Sequence, residues 1–413
     1  MIAEIGIKAK KAARKLSKLG TTEKNRILHT LGENLVKRMD EIITANEADL
    51  SRGKENGLSE ALIDRLLLNK QRVLSMKEGL SIVEKLEDPV GETREMKTLA
   101  NGLKVGKKSV PLGVVGIIYE SRPNVTIDTA ALCLKSSNAL ILRGGKEAIT
   151  SNKILVTIIQ DTLEQLGHDP YMVQLIEDLS YETAGEFMRM NEYLDVLIPR
   201  GSAKLIQRVV KEATVPVIET GVGNCHVYVD DGADFDMALD IIVNAKTQRT
   251  GVCNAMESLL VHEDIAEEFL PLLKGRIEPY GVRVMADERA REVIPEFNKA
   301  TEEDYGTEYL DLAMSLKTVK DLDEAMDHIE KYGTGHSEAI ITKDYERAMK
   351  FLDEVDAAAV YVNASTRFTD GSEMGMGAEM GISTQKLHAR GPVGLKELTT
   401  TKYIIFGNGQ IRK

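Results

Sequence analysis

The amino-acid sequence predicts an α/β protein with a doubly wound domain, a second α/β domain and a small β element. Strand-like and helix-like segments alternate regularly between residues 112 and 218, which favours a parallel sheet covered by helices. A length of 413 residues is too great for one ordinary hydrophobic core, so more than one domain is expected. The hydrophobic fraction of 43% and the charged fraction of 29% are typical of a soluble globular protein.

Residues 1–90 are predicted to be helical. Thr22 precedes an amphipathic run that continues through Met39, and Ser59 is the predicted cap of a further helix that continues through Leu67. Residues 95–111 change to an alternating pattern around Asn101-Gly102, a pair that tolerates positive φ at both positions. This pattern predicts a protruding β-hairpin.

The segment from residue 112 to residue 218 has the pattern of a doubly wound domain. Strands are predicted at 112–118, 139–142, 172–176, 194–198 and 215–218, and helices at 125–136, 148–166, near Glu182 and from Ser202. This alternation is typical of nucleotide-binding domains. Glu219 follows the last predicted strand, at the sheet edge where such folds bind ligands, and a solvated carboxylate is the alternative.

A second α/β segment is predicted from His226 to about Met380. Its clearest elements are strands at 226–229 and 357–362 and helices at 234–246 and 321–331. The stretch 371–391 is rich in Gly, Met and Ser, so it is predicted to be a loop. Residues 398–406 are predicted to form the last strand.

The charge and the cysteine content exclude several classes of protein. A net charge of −12 repels polyanions, so neither nucleic acid nor an anionic membrane surface is an expected partner. No apolar run approaches the roughly 18 residues of a membrane span, and the N-terminus lacks the apolar core of a secretory signal, so a cytoplasmic location is expected. Three cysteines without metal-ligand spacing predict neither a disulfide framework nor a metal site.

Cys253 is the candidate nucleophile. It lies in a short polar segment between a predicted helix and an apolar run, where a ligand can reach the thiol, which must ionise to react. A buried, inert cysteine agrees equally well with the spacing alone. Cys133 lies on an apolar helix face and Cys225 opens a strand, so structural roles are expected for both. A cofactor-free cysteine hydrolase remains an alternative, although no histidine neighbours Cys253 in the sequence.

Two predicted strand-to-helix junctions are candidate anion-binding sites. In Arg143-Gly144-Gly145-Lys146 the glycines permit close backbone approach, and the N–H groups of the following helix are expected to be exposed. Arg200-Gly201-Ser202 has a similar arrangement. Arginine binds phosphate oxygens in pairs and lysine provides a point charge, so both junctions suit phosphate. A tight turn without a ligand is the alternative for each.

Asn124 stands at the start of the helix that follows the first parallel strand. The preceding Pro123 forces Arg122 into an extended conformation. The Asn124 amide is predicted either to donate to a ligand oxygen or to cap the helix.

In this order, these residues resemble the aldehyde dehydrogenase superfamily over nearly the whole chain. The most specific segments are 116–124, 142–148, 218–226 and 387–392. The resemblance implies an aldehyde dehydrogenase-like fold in which Cys253 is the nucleophile and Asn124 is the oxyanion donor. Glu219 then matches the acid that activates water in hydrolytic relatives, and a catalytic role is expected for it.

The resemblance also implies a nicotinamide cofactor. The segment that binds the adenosine ribose corresponds to Arg143, Gly144, Gly145 and Lys146. A pair near the nicotinamide half of the cofactor corresponds to Gly201 and Ser202. The acid that binds the nicotinamide ribose corresponds to Glu308. Lys146 stands where an acid often favours the 2′-hydroxyl of NAD. This implies NADP, because a lysine can neutralise the 2′-phosphate.

The implied reaction is the NADPH-dependent reduction of an acyl phosphate. L-Glutamyl 5-phosphate would be converted to L-glutamate 5-semialdehyde with release of phosphate, through a thioacyl enzyme on Cys253, in the second step of proline biosynthesis from glutamate. Another NAD(P)-dependent aldehyde dehydrogenase is the alternative activity, and a nucleotide-sensing module is the non-enzymatic one. The candidate substrate-binding arginines are Arg122, Arg249, Arg367 and Arg390.

Partners and domain limits follow from the same resemblance. It implies a homo-oligomer, because the hairpin and the last strand build subunit contacts in the superfamily, and a transient contact with glutamate 5-kinase. Residues 95–111 and 386–413 are therefore assigned to an oligomerisation element. The NADP-binding domain is placed at 1–94 and 112–225, and the catalytic domain at 226–385.

Overall fold

The computed structural model describes residues 2–412 and divides into two compact units. The first unit consists of Met1–Glu219, Gly375–Gly381 and Val393–Lys413, and the second consists of Thr220–Met374 and Ile382–Pro392. Both units contain a parallel sheet with helices between the strands, which confirms the predicted fold class.

The first unit begins with helices, as predicted for residues 1–90. They are α1 (Ile2–Leu16), α2 (Thr21–Lys37), α3 (Met39–Glu55), α4 (Glu60–Leu66) and α5 (Lys70–Lys85). The Ser59 side chain accepts a hydrogen bond from the backbone N–H of Leu62 at 3.4 Å, so the predicted cap of α4 is confirmed.

The predicted hairpin is also confirmed. Strand β1 (Thr93–Thr98) pairs antiparallel with β2 (Lys104–Pro111). At the turn Gly102 has a φ of 84°, and the Leu99 N–H donates to the Leu103 carbonyl at 2.8 Å. The Asn-Gly pair therefore closes the hairpin as its conformational freedom predicts.

A four-stranded parallel sheet in the order β5-β4-β3-β6 forms the centre of the first unit. Its strands are β3 (Val114–Tyr119), β4 (Ala139–Arg143), β5 (Val173–Leu175) and β6 (Val196–Arg200), and its helices are α6 (Asn124–Lys135), α7 (Ile149–Gln165), α8 (Tyr181–Phe187) and α9 (Ala203–Glu212). Every residue of β3 is buried, as expected for a parallel strand with both faces covered.

The prediction of a full strand at residues 215–218 was wrong. Val217 forms an isolated parallel bridge with Leu197, flanked by hydrogen bonds from Leu197 N–H to the Pro216 carbonyl (2.8 Å) and from Ile218 N–H to the Leu197 carbonyl (3.0 Å). Pro216 has no N–H to donate, so the ladder does not extend.

The second unit is built on a seven-stranded sheet in the order β10-β9-β11-β8-β7-β12-β13. The strands are β7 (Cys225–Val229), β8 (Met256–His262), β9 (Arg283–Ala286), β10 (Asn298–Lys299), β11 (Ala313–Val319), β12 (Ser337–Ile341) and β13 (Ala359–Val362). The helices are α10 (Phe235–Thr247), α11 (Ala266–Ile277), α12 (Glu288–Val293), α13 (Glu302–Tyr305), α14 (Leu322–Tyr332) and α15 (Tyr345–Glu354). Strands β7, β8 and β12 are fully buried and form the centre of the core.

The predicted loop at 371–391 is largely irregular, but it contains β14 (Ile382–Ser383), which pairs antiparallel with β15 (Gly391–Pro392). The last predicted strand is present in the first unit as β16 (Thr399–Phe406). It pairs antiparallel with β2, so the hairpin and the C-terminal strand form a three-stranded sheet.

No helix in the described part of the chain is both long and apolar enough to cross a membrane. Among residues 2–412, no group of three or more His, Cys, Asp or Glu side chains is arranged to hold a metal ion.

Candidate active site

The candidate cofactor residues of the first unit lie at the carboxyl ends of its strands. Arg143 is the last residue of β4, Gly201 and Ser202 follow β6, and the turn 120–123 follows β3. The order of the strands reverses between β3 and β6. This edge is therefore a topological switch point, where doubly wound folds bind their ligands.

The side chain of Arg143 is partly buried and forms hydrogen bonds within the protein. Its Nη2 donates to the carbonyl oxygens of Leu179 at 3.1 Å and Ser180 at 3.0 Å, and burial lowers the pKa of its guanidinium. A Cβ on Gly144 would lie 2.2 Å from the amide nitrogen of Asn152, so this backbone is closely packed. Lys146 is exposed and is the accessible cation of the junction.

The N–H groups at the start of α7, which the sequence suggested were exposed, are bound within the chain. The carboxylate of Asp49 is fully buried and accepts from the N–H groups of Thr150 at 3.2 Å and Ser151 at 2.7 Å. It also accepts from the Ser151 hydroxyl at 2.7 Å. A carboxylate here satisfies the free donors and the helix dipole. The N–H groups of Thr150 and Ser151 are therefore already bound by Asp49, and Lys146 is the exposed cation of the junction.

The second predicted anion site is also filled by a carboxylate of the chain. Glu120 accepts from the Ser202 N–H at 2.8 Å and from the Ser202 hydroxyl at 3.2 Å. A Cβ on Gly201 would lie 2.5 Å from the Glu120 carboxylate, so the glycine permits this close approach. Sequence reasoning missed Glu120, whose only signal was its position directly after β3.

Asn124 opens α6 in a tightly held turn. Its Nδ2 donates to the Asp128 carboxylate at 2.9 Å, and burial raises the pKa of Asp128 to about 6. Ser121 has a φ of 32°, and its N–H and hydroxyl donate to Glu147 at 2.7 and 2.8 Å. An amide nitrogen carries two hydrogens, so Asn124 keeps one donor beyond its contact with Asp128. Arg122, in the same turn, is partly buried.

Glu219 is the last residue of the first unit's long N-terminal segment. It lies one residue after the hydrogen-bonded Ile218 and is partly buried. Its carboxylate therefore stands directly after the edge of the sheet, where doubly wound folds bind their ligands.

In the second unit, Cys253 is partly exposed in a turn before β8, whereas Cys133 and Cys225 are buried. A Cβ on Gly223 would lie 1.5 Å from the Cys253 carbonyl oxygen, so only glycine fits there. The Cys225 thiol donates to the same carbonyl at 3.1 Å, and burial raises its pKa well above the ordinary value. The neutral Cys225 thiol therefore fixes the backbone that carries Cys253.

A buried chain of polar groups supports Cys225. Its sulfur lies 3.6 Å from Nδ1 of His336, which lies 2.8 Å from the Ser337 hydroxyl. Ser337 and Tyr361 both contact the Thr369 hydroxyl, at 2.6 and 2.7 Å. Burial lowers the pKa of His336 to about 4, so the imidazole is neutral near pH 7. The sequence showed no sign of this chain, because its members come from separate strands and loops.

Asn254, the residue after Cys253, is linked to Arg367. Its Nδ2 donates to the carbonyls of Arg367 at 3.3 Å and Thr369 at 2.9 Å, and its Oδ1 accepts from Arg367 Nη1. Arg367 Nε donates to the side-chain oxygen of Gln248 at 3.0 Å. The structure therefore brings a predicted substrate arginine to the turn that carries the thiol.

The two other candidate substrate arginines of the second unit, Arg249 and Arg390, differ in their charge partners. Arg249 directly follows Gln248 and is exposed. Arg390 Nη1 forms an ion pair with Asp356 at 2.8 Å, and Lys386 contacts the same carboxylate. Asp356 thus holds the Arg390 guanidinium in place and shares its negative charge between Lys386 and Arg390.

Glu308 lies beside the Cys253 turn. Its Oε1 accepts from the Gly223 N–H at 2.8 Å, and burial raises the pKa of its carboxyl group. Glu308 and Cys253 therefore both contact Gly223, although the pair is separated by 55 positions in the sequence.

Comparison with known proteins gives consistent matches. The chain matches the model of the aldehyde dehydrogenase family over residues 2–305 and 313–404. It is 60% identical over 407 residues to the gamma-glutamyl phosphate reductase of Clostridium perfringens, with 98% of each chain covered. It is 59% identical to the enzyme of that name from Carboxydothermus hydrogenoformans, covering 100% of this chain and 99% of the relative.

A solved structure shows the same fold. The crystal structure of gamma-glutamyl phosphate reductase from Thermotoga maritima superposes with a TM-score of 0.98 at 49% sequence identity. The match covers 100% of this chain and 99% of that chain.

Proposed function

The chain belongs to the aldehyde dehydrogenase family, and on that premise we propose that it reduces L-glutamyl 5-phosphate to L-glutamate 5-semialdehyde with NADPH. The observation that carries the proposal is the Cys253 turn, a partly exposed thiol on a backbone fixed by Gly223 and Cys225. Identity of 60% to named reductases over 98% of both chains favours this activity over a cofactor-free cysteine hydrolase.

The first chemical step forms a thioester on Cys253. The thiolate attacks the carbonyl carbon of the acyl phosphate, and the side-chain amide of Asn124 and the backbone N–H of Cys253 donate to the resulting oxyanion. Each such donor typically accelerates a reaction by about 10²–10³-fold. The bond to the phosphate oxygen then breaks, phosphate leaves with the electron pair, and the acyl group remains on sulfur.

The second step releases the aldehyde. The nicotinamide cofactor, when bound, supplies the hydride that reduces the thioester carbonyl. Asn124 stabilises the oxyanion again, and when the aldehyde forms the carbon–sulfur bond breaks and Cys253 leaves as the thiolate. No water is needed, so the proposed role of Glu219 is to exchange protons with the thiol rather than to activate water.

The residues at the switch point suit a nicotinamide cofactor with a 2′-phosphate. Lys146 is exposed just after the carboxyl end of β4, and it follows the two glycines Gly144 and Gly145. Arg143 orients this junction through Leu179 and Ser180, which leaves recognition of the 2′-phosphate to Lys146. Gly144 and Gly145 would let the backbone of this junction approach the cofactor. Gly201 and Ser202 would lie near its nicotinamide half, with the Ser202 N–H bound to Glu120. Glu308 would bind the nicotinamide ribose.

The substrate carries anionic groups that need cationic partners. Arg122 and Arg390 are assigned to the carboxylate end of the substrate. Arg390 is held by Asp356, which fixes the direction of its guanidinium. Arg249 and Arg367 lie with the Cys253 turn in the second unit.

The proposal extends to domains and partners. Residues 1–94 and 112–225 would bind NADP, residues 226–385 would carry the chemistry, and 95–111 with 386–413 would join subunits of a homo-oligomer. Exposed apolar side chains on β16 support the last point: Tyr403, Ile405 and Phe406 are 68%, 59% and 59% exposed. A cytoplasmic location agrees with a catalytic thiol that must stay reduced, and a transient contact with glutamate 5-kinase would deliver the labile acyl phosphate.

The proposal is tested in the oxidative direction with purified protein. The wild type is expected to reduce NADP⁺ when given L-glutamate 5-semialdehyde and phosphate, and Cys253→Ala is expected to lose this turnover while still binding NADPH. Cys133→Ala is the control, since this buried thiol lies in α6 and should leave turnover largely intact. Turnover retained by Cys253→Ala would remove the thioacyl mechanism.

A further inference from the structure

We propose that Arg249 and Arg367 form the subsite for the phosphate group of the acyl phosphate, and that Asn254 is a positioning residue that holds Arg367 in this subsite. The inference rests on the proposed function, because phosphate occupies the site only if the substrate is an acyl phosphate. It separates the four candidate arginines into those that bind phosphate and those that bind the rest of the substrate.

The position of Arg367 is set by hydrogen bonds at two of its nitrogens. Nε donates to Gln248 at 3.0 Å, and Nη1 donates to Oδ1 of Asn254. Gln248 directly precedes Arg249, and Asn254 directly follows Cys253. The guanidinium of Arg367 therefore lies between Gln248, which precedes Arg249, and Asn254, which follows Cys253.

Asn254 is suited to hold this arrangement rigidly. Only 4% of the residue is exposed, and its amide makes three hydrogen bonds, two as donor and one as acceptor. The hydroxyl of Thr366 donates to its backbone carbonyl at 2.8 Å. Because a buried amide is costly to leave unpaired, these bonds permit one orientation of the side chain.

The two arginines differ from Arg390 in forming no ion pair within the described part of the chain. Among residues 2–412 neither Arg249 nor Arg367 forms an ion pair, whereas Arg390 is paired with Asp356. Nη2 of Arg367 donates no hydrogen bond within the described chain. The guanidinium of Arg249 and the Nη2 of Arg367 can therefore both donate to a dianion, because guanidinium groups bind phosphate oxygens well.

The electrostatics of Arg367 agree with this geometry. Burial lowers the pKa of its guanidinium, the charge of Arg249 lowers it further, and the Cys253 thiolate and Asp370 raise it. The positive charge thus interacts with the second arginine and with the nucleophile. When the bond between the acyl carbon and the phosphate oxygen breaks, the electron pair moves to phosphate, and the arginine pair stabilises the added negative charge.

The oxidative reaction tests the subsite, because phosphate is then a separate substrate with its own KM. Arg367→Gln and Arg249→Gln are each expected to raise the KM for phosphate by about tenfold or more, since each loses a charge-assisted contact. The KM for the semialdehyde should stay within about twofold. Arg367→Lys keeps the charge and should lie between the wild type and Arg367→Gln. Arg276→Gln, on the exposed side of α11, is the matched control.

The kinetic constants of Asn254→Ala test whether Asn254 positions Arg367. If Asn254 positions Arg367, the KM for phosphate rises while the KM values for NADP⁺ and semialdehyde change little. A merely structural defect would instead lower kcat and leave the KM for phosphate unchanged. That result would remove Asn254 from the subsite.

The reaction without phosphate distinguishes failure of the phosphate subsite from failure of the proposed function. A burst of NADPH on mixing enzyme, semialdehyde and NADP⁺ reports thioester formation, and it should persist in the Arg249→Gln and Arg367→Gln variants. A normal burst together with a wild-type KM for phosphate in both variants would overturn the subsite and leave the proposed function intact. If the wild type shows neither a burst nor phosphate-dependent turnover, the proposed function fails, and the inference fails with it.

Discussion

At the scale of single residues, the surroundings of the three thiols separate their roles. Burial raises the pKa of Cys133 and Cys225, which keeps both thiols neutral, whereas Cys253 is partly exposed. The sequence identified Cys253 from its turn and its family context. It did not identify Cys225 as the donor to the Cys253 carbonyl, since the two residues lie 28 positions apart and meet only through the sheet.

Gly223 provides a direct test of the packing around this turn. In Gly223→Ala the new Cβ would meet the Cys253 carbonyl, so the turn must move. We expect a loss of kcat of at least about 100-fold, as for other displacements of reacting groups, and a loss of stability of about 1–3 kcal/mol.

Gly232→Ala is the matched control, since a Cβ there meets nothing within 4 Å. Steady-state kinetics and thermal unfolding measure both effects. Equal kcat values for Gly223→Ala and the wild type would show that the turn is not under this constraint.

Lys146 tests the cofactor assignment. Lys146→Glu places a negative charge where the 2′-phosphate of NADP is proposed to bind, so the KM for NADPH should rise by about tenfold or more while NADH is affected less. Lys18→Glu reverses an exposed charge after α1 and serves as the control. An unchanged ratio of NADPH to NADH in kcat/KM would show that Lys146 does not discriminate between the cofactors.

At the scale of elements, local patterns predicted most strands and helices because their causes are local. The alternation of strand-like and helix-like segments located β3, β4 and α7, and Asn101-Gly102 located the hairpin. The failed strand at 215–218 contains Pro216, which interrupts the ladder.

Contacts between residues far apart in the sequence could not be predicted in the same way. Asp49 binds the start of α7 from 102 residues away, and Glu120 binds Ser202 from 82 residues away. Arg367 likewise reaches Asn254 across 113 residues. Each contact depends on the folded arrangement of its unit, which hydrophobic periodicity does not encode.

Asp49 gives a prediction about α7. Asp49→Ala removes a buried carboxylate that accepts from Thr150 and Ser151, so the free energy of unfolding should fall by about 1–3 kcal/mol. Glu47→Gln, an exposed change on the same helix, should have little effect. Urea denaturation measures both variants, and equal midpoints would show that the carboxylate contributes nothing to the helix.

At the scale of the whole molecule, the two units carry different parts of the proposed chemistry. The first unit has the switch point, with Lys146 and the Asn124 turn, and the second has Cys253, Glu308 and the arginine pair. The sheet of β1, β2 and β16 adds an exposed apolar surface to the first unit.

The central claim is that the acyl group is carried on Cys253, and trapping that intermediate tests it most directly. Enzyme mixed with L-glutamate 5-semialdehyde and NADP⁺ without phosphate should form NADPH in a burst and gain the mass of a glutamyl group on the peptide that contains Cys253. Addition of phosphate should discharge the adduct as an acyl phosphate. A glutamyl adduct on any other residue, or phosphate-dependent turnover in which Cys253 is never acylated, would contradict the account.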